Sequence, residues 1–247
     1  MYKKILKIVI TCLILSISTK NIYAQDITIG RCAKIYDPYE KINRKVFSFN
    51  RTLDRTLLRP PILVYLKVVP KWPRQRLNSF FSNLMSPLTF VNNILQGNFQ
   101  EAGNTLGRFM FNSTAGLGGL IDWAKTCGVD DNPQSFDDTL AKFDVPYGSY
   151  IVLPLLGPST TRGITGKAVD VFTDPVNFVL WNHQQASLKY FLARKFDQRA
   201  QSEETISLSE QNLLDEYSFV RSSYLQYIAS QNTFCKNKQD IDYELYE

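Results

Sequence analysis

The 247-residue sequence predicts a nearly all-α protein, and three observations carry that reading. Apolar residues recur at three- and four-residue steps in several long windows, which is the pattern of a helix with one apolar face. No segment alternates apolar and polar residues strictly over roughly six positions, as a half-exposed strand would. Helix-start and helix-stop residues, namely Asp-Pro pairs, serine, glycine and proline, fall at the edges of the periodic windows. Short strands find room only near residues 147–155.

Taken in order, residues 1–24 read as a secretory signal peptide. Lys3, Lys4 and Lys7 form a basic head, residues 8–17 an apolar stretch, and Ile22-Tyr23-Ala24 a cleavage exit. Residues 25–36 have no clear period and are expected to be a tether. Asp37-Pro38-Tyr39-Glu40 then has the parts of a helix start: Asp37 as N-cap, proline in the first turn and Glu40 as capping-box partner. Ile42, Val46, Phe49, Leu53 and Leu57 follow on one face, giving a helix over 38–58. Pro60-Pro61 is expected to stop it, and 62–69 to form a short apolar segment ending in a stiff corner at Pro70-Lys71-Trp72-Pro73.

The window 74–123 holds most of the bulky apolar residues. Leu77, Phe80, Phe81, Leu84, Met85, Leu88, Val91 and Leu95 lie on one wide stripe, with restarts expected at Pro73 and at Pro87 behind Ser86. Gly97 closes that segment, and Asn98 to Glu101 resembles a second capping box opening a helix to about Ala115. Leu106, Phe109 and Met110 mark its apolar face, and Gly116, Gly118 and Gly119 its tail. Asn and Ser interrupt every apolar run well short of the roughly 18 to 20 residues that cross a bilayer. These helices therefore either make an ordinary core or lie in one leaflet.

Beyond them, residues 125–132 read as a polar loop. Residues 144–158 are apolar but broken by Pro146, Gly148, Pro154, Gly157 and Pro158, so they hold no long helix. Ser159 can cap a helix carrying Ile164, Ala168 and Phe172, Asp174-Pro175 opens a short one, and residues 188–196 form another amphipathic piece. Leu213, Tyr217, Val220, Tyr224, Tyr227 and Ile228 give the last helix of a single helical domain over 37–231, before an acidic, flexible tail at 232–247.

Composition narrows the function. Of the formal charge of +5, four positive charges (Lys3, Lys4, Lys7, Lys20) leave with the signal segment, so the rest carries +1 and has no basic, aromatic-interleaved patch for nucleic acid. Cys32, Cys127 and Cys235 remain in no CxxC spacing, which argues against both a disulfide scaffold and a zinc site. His183, the one histidine, has no nucleophile signature to partner it, and the adjacent pairs Asp130/Asp131 and Asp137/Asp138 read as solvated loop acids. Gly116-Leu117-Gly118-Gly119 lacks the spacing and preceding strand of a dinucleotide turn. Neither catalysis nor a cofactor is expected. Trp72, Trp123 and Trp181 beside proline or polar breaks suit rings at a lipid–water boundary as well as core and rim positions.

The ordered motifs are more specific. Asp37-Pro38-x-Glu40-x-x-Asn43-Arg44-x-x-Phe47-x-Phe49-Asn50, Arg59-Pro60, Phe80-x-x-Asn83-Leu84-x-x-Pro87, Val91-Asn92-x-x-Leu95-Gln96-Gly97 and Arg108-Phe109-x-x-Asn112-Ser113 resemble the MlaA/VacJ family. Gly116 to Asp122, the Leu153-Pro154-x-x-Gly157-Pro158-Ser159-Thr160-x-Arg162 run, Asp174-Pro175 and Tyr217-x-x-Val220-Arg221-x-x-Tyr224 continue the resemblance in the same order.

The resemblance implies an all-helical ring with a central channel, lodged on the periplasmic side of the outer membrane beside a trimeric porin. It implies removal of phospholipid mislocalised to the outer leaflet and its transfer to a periplasmic carrier. On that reading Phe80, Phe81, Leu84, Leu88, Val91, Leu95, Leu106, Phe109 and Met110 face acyl chains. Asn92, Arg108, Asn112, Gly116, Gly118, Gly119 and the loop residues Asp144, Pro146, Tyr147, Gly148 and Tyr150 are the channel-side set. Two departures stand out. Neither Cys12 nor Cys32 sits in a lipobox, and Asp144 and Pro146 replace glycines common in that loop, which narrows its conformations. A secreted lipid hydrolase and a soluble helical partner-binding module are the rival readings.

Overall fold

The computed structural model describes residues 37–180, 182–210 and 215–230. The expected signal peptide, tether and tail, together with Trp181, Leu213, Cys12, Cys32 and Cys235, lie outside the described residues. The described chain is mostly helical, as the periodicity predicts, with one small β-hairpin.

The first helix does not stop at Pro60-Pro61. Helix α1 (Glu40–Leu53) runs into a π-helical turn (Asp54–Leu58) and on into α2 (Arg59–Val68). A proline ring clashes with the carbonyl four residues back and withholds one N–H. In the wider π turn the Arg59 N–H reaches the Asp54 carbonyl five residues back, which opens the backbone ahead of both rings. The prolines then occupy the first turn of α2, where a missing N–H matters least. The start also differs from the capping expectation: Tyr39, not Asp37, is the N-cap residue, and no side chain caps it. Val69 turns extended ahead of Pro70, as the fixed corner requires.

Helix α3 (Lys71–Leu95) passes through Pro87 without restarting there or at Pro73. One interior proline removes a single ladder bond, and packing along both halves holds the helix through it. Gly97, at φ +74°, reverses the chain into α4 (Phe99–Thr114), and the two helices form the most extensive helix–helix contact in the fold. Asn98 occupies the N-cap position of α4 but its side-chain oxygen forms no capping bond, while its amide group donates to Gln96 at 3.3 Å.

A glycine-bearing turn leads to the single-turn helix α5 (Trp123–Thr126), capped by Asp122. The segment read as solvated acids is helix α6 (Phe136–Lys142), opened by a reciprocal capping box between Ser135 and Asp138. Strands β1 (Tyr150–Leu153) and β2 (Gly157–Thr160) pair antiparallel, Tyr150 opposite Thr160 and Leu153 opposite Gly157. Thr160, one residue later than the expected Ser159, caps α7 (Thr161–Thr173), and Asp174 caps α8 (Pro175–Val179). Helices α9 (Gln184–Gln201), α10 (Glu203–Glu210) and α11 (Glu216–Ser230) complete the described chain.

The buried apolar core is small: Tyr150, Val152, Tyr217, Leu225 and Ile228, with Val46, Phe47, Tyr147 and Tyr224 against it. It joins the hairpin to α1 and α11. No described helix is long and apolar enough to cross a membrane.

Candidate functional site

Helices α3 and α4 are packed inside out. The buried positions of α3 are Asn83, Ser86, Thr89, Asn92 and Asn93, and those of α4 are Ala102, Thr105, Arg108 and Asn112. Polar side chains tie this seam together: Asn93 donates to Thr105 at 3.2 Å and Asn83 to Ser113 at 2.9 Å. Buried polar groups are tolerated where they bond one another, and here the two amide groups do so while the Asn83 and Asn93 side-chain oxygens have no partner among the described residues. The outer face carries the bulk apolar residues. Val91 is 50% exposed and Met110 61%, with Ile94, Leu95, Phe99, Leu106 and Leu117 also exposed. Phe80, Leu84, Leu88 and Phe109 are half-buried flanks of that face, whereas Phe81 packs against Tyr190 of α9 with ring centroids 6.2 Å apart. Water disfavours such a surface, and a polar seam under an apolar exterior is the arrangement that lipid favours.

The expected channel-side residues separate into two groups. Asn92, at 1% exposure, accepts from Thr139 at 2.8 Å and donates to the Gln134 carbonyl at 3.3 Å. Buried Arg108 donates to the Val129 carbonyl and to Asp122 at 2.9 Å. Asn112 donates to Asp122 at 2.9 Å and accepts from the Ala124 N–H at 3.1 Å. The structure therefore places Asn92, Arg108 and Asn112 in a sealed seam that fixes residues 122–139, not on an open wall. Burial alone would raise the Asp122 carboxyl, but bonds from Asn112, the Lys125 N–H and Arg108 hold it below the usual range. Gly116 and Gly119 are buried for want of space: a Cβ at Gly116 would lie 2.2 Å from the Ile121 carbonyl oxygen, and one at Gly119 2.4 Å from the Asn83 Cβ. Gly118 is open.

In the segment 144–150, Asp144 and Pro146 are exposed, Tyr147 and Gly148 half-buried, and Tyr150 fully buried in the core. Asp144 sits at φ +55°, the left-handed region that glycine occupies freely and aspartate tolerates. Arg162 pins the segment: its Nη1 donates to the Val145 carbonyl at 2.9 Å, its N–H to the Tyr147 carbonyl at 3.2 Å, and its Nε to Asp137 at 2.6 Å. Asp137 thus has a buried arginine partner, which corrects its reading as a solvated loop acid. Asp138 is engaged in the α6 cap, and Asp131 accepts from Ser82.

The N-terminal motif clasps this hairpin. One edge of β1 pairs with β2; the other would be left with bare backbone groups. Asn43 donates to the Tyr150 carbonyl at 3.0 Å and accepts from the Val152 N–H at 2.9 Å. Asn50, two turns on, donates to the Leu153 carbonyl and accepts from the Leu155 N–H, both at 2.9 Å. Asp37 accepts from Asn43 at 2.8 Å, Arg221 at 2.8 Å and the Tyr217 hydroxyl. Burial pushes Asp37 up, but these three donors outweigh it and keep the carboxyl low. Arg44 bridges Glu40 at 2.7 Å and Asp215 at 2.9 Å and lies over the Tyr217 ring, and Phe47 meets the same ring edge-on at 5.7 Å. Phe49 is exposed.

Sequence reasoning missed a second apolar surface, made by Val171, Phe172, Phe178, Val179, Leu188 and Leu192, all exposed on α7 to α9. The Leu188, Phe191, Leu192 spacing was the available signal. His183 is exposed ahead of α9, and among the described residues no hydroxyl or thiol is hydrogen-bonded to its side chain.

Comparison with known proteins points one way. The model of the MlaA lipoprotein family matches residues 35–231. An uncharacterised Rickettsia typhi protein is 39% identical over 67% of this chain, and the chain spans 62% of that relative's length. A Rickettsia bellii protein is 36% identical over 80% of this chain and 77% of its own length. The Escherichia coli K12 intermembrane phospholipid transport system lipoprotein MlaA is 32% identical over 77% of this chain and 76% of its own. A solved chain from work on the structural basis for maintenance of bacterial outer membrane lipid asymmetry aligns with TM-score 0.68 and 31% identity, covering 79% of this chain and 98% of that one.

Proposed function

Because this chain belongs to the MlaA lipoprotein family, we propose that it is a phospholipid-transport component acting at the periplasmic face of the outer membrane. In this reading its helices form a ring in one leaflet around an amphipathic channel. Phospholipid misplaced in the outer leaflet enters the channel and passes to a periplasmic carrier, and a trimeric porin holds the ring in place. The observation that carries the reading is the inversion in α3 and α4, where Asn83, Asn92, Asn93, Arg108 and Asn112 are inside and Val91, Leu95, Leu106 and Met110 outside. The second apolar surface on α7 to α9 extends the lipid-facing area. Helices that lie in the plane of a leaflet need no spanning run, which suits their interrupted apolar stretches. Lipid transfer of this kind needs no nucleophile or proton shuttle, and His183 then has no catalytic task.

The test joins localisation to phenotype. Deletion should raise detergent sensitivity and outer-leaflet phospholipid, and a Val91→Glu/Met110→Glu chain should leave the outer-membrane fraction and fail to complement. Normal detergent resistance in the deletion strain, or full membrane retention and complementation by the double variant, would overturn the proposal.

A further inference from the structure

The near-neutral charge balance predicts no basic patch with interleaved aromatics, but residues 55–100 contain six cations, Arg55, Arg59, Lys67, Lys71, Arg74 and Arg76, and no aspartate or glutamate. Arg55 is paired with Glu216 at 2.9 Å and Arg59 with Glu203 at 2.8 Å. The other four gather at the corner between α2 and α3, and among the described residues none of them is paired with a carboxylate. Lys67 and Lys71 are exposed. Between them Val68 is 71% exposed, and next to them Trp72 is 65% exposed. The Arg76 guanidinium lies 5.3 Å from the Trp72 ring centre and donates to the Leu120 carbonyl at 3.4 Å, while Arg74 donates to the Pro70 carbonyl at 3.4 Å. The rigid Val69-Pro70 corner and the stacked arginine thus hold an indole outward among cations that no carboxylate pairs directly, with Asp197 close enough to act on Tyr65 beside them.

We propose that this corner is an anchor for anionic lipid headgroups, with Trp72 and Val68 in the lipid–water boundary and Lys67, Lys71 and the two arginines on lipid phosphates. It rests on the embedding of the α3–α4 face proposed above. An indole prefers this boundary because its ring is apolar and its N–H is wet. Lysines beside it keep their stems along the apolar surface and their ammonium groups in the headgroup layer. A bare cationic patch would equally suit an acidic protein. Exposed Val68 and Trp72 among the charges, continuous through exposed Leu77 with the apolar side of α3, favour a lipid surface. The N–H groups opening α3 add partial positive charge at the same place.

The experiment is vesicle flotation of the full chain, with phosphatidylcholine alone and with phosphatidylcholine containing phosphatidylglycerol. The native chain should bind both and prefer the anionic vesicles, a preference that added salt erases. Lys67→Gln/Lys71→Gln should keep its binding to neutral vesicles and lose about fivefold of the anionic preference per lysine, about 25-fold for the pair. Trp72→Ala should weaken binding to both. Equal binding of the native chain to both vesicles, or an undiminished preference in the lysine variant, would overturn the anchor while leaving embedding intact, and the second outcome would hand the cations to an acidic protein partner. Failure of the native chain to bind either vesicle would overturn embedding and the anchor together. Neither lysine makes a hydrogen bond or ion pair among the described residues, so the variant should fold, which a far-ultraviolet spectrum checks.

Discussion

Replacing Asn43 with leucine should be among the most damaging single changes to the fold. The side chain is 2% exposed and makes three bonds: to Asp37, to the Tyr150 carbonyl and from the Val152 N–H. Leucine fills a similar volume, so the expected loss is mostly polar. Two backbone groups of β1 would be left buried without partners, at about 1–3 kcal/mol each, or about 2–6 kcal/mol in total. For a domain of this size, at about 2–4 °C per kcal/mol, that lowers the melting temperature by about 4–24 °C. Asn50 makes the equivalent clasp at a half-buried place where water can replace it, so Asn50→Ala should cost below about 1 kcal/mol. Thermal unfolding in detergent gives the first comparison, and hydrogen exchange at the Val152 amide gives the local one. If Asn43→Leu stayed within about 1 kcal/mol of the native chain, or matched Asn50→Ala, the edge-clasp argument would be refuted.

Two further predictions address charge and backbone. Asp170 accepts from the Phe136 N–H at 3.0 Å, and burial, aided by Asp138 and Asp137, pushes its carboxyl up to about 6. A carboxyl raised in the folded state favours folding while protonated, and that advantage is lost as pH rises through the folded value. Asp170→Asn keeps a carbonyl for Phe136. It should therefore be more stable than the native chain at pH 7, by about 1–2 kcal/mol, with a flatter urea-midpoint profile between about pH 4 and 7. Parallel profiles would contradict this. Gly118 and Gly119 both have positive φ, but only a Cβ at Gly119 strikes Asn83. Gly118→Ala should cost about 1 kcal/mol and Gly119→Ala about 3 kcal/mol or more in chemical unfolding. Equal costs would mean that Asn83 moves aside freely.

The helices were legible in the sequence because apolar period is a local property. Which face points inward was not. In α3 a polar stripe (Asn83, Ser86, Asn93) and an apolar stripe (Leu84, Leu88, Val91, Leu95) recur at similar steps, and only the solvent decides which is buried. The stop expected at Pro60-Pro61 failed because a π turn upstream absorbed the rings, an irregularity with no residue signature of its own. Asp137 read as solvated because its partner, Arg162, is 25 residues on and reaches it only after α6 and α7 pack. The Asn43 and Asn50 motif was visible, but its task depends on a strand edge more than 100 residues away. Arg108 and Asn112 are expected on the channel side from the resemblance alone, and the structure buries both in the α3–α4 seam, since polarity marks a seam as readily as a channel.

The bonds from α1 to α11 also set an order of assembly. Asp37 meets Arg221 across 184 residues, Arg44 meets Asp215 across 171 and Arg51 meets Glu216 across 165. Contacts so distant in sequence form late, because a long loop must close before they yield anything. The first described helix is therefore among the last to be completed. Until Glu216 to Arg221 arrive, its arginines and the Asp37 carboxylate lack these partners, and the apolar hairpin beneath lacks half its cover. A chain cut short before α11 would lose the closure that joins the first and last described helices into one unit.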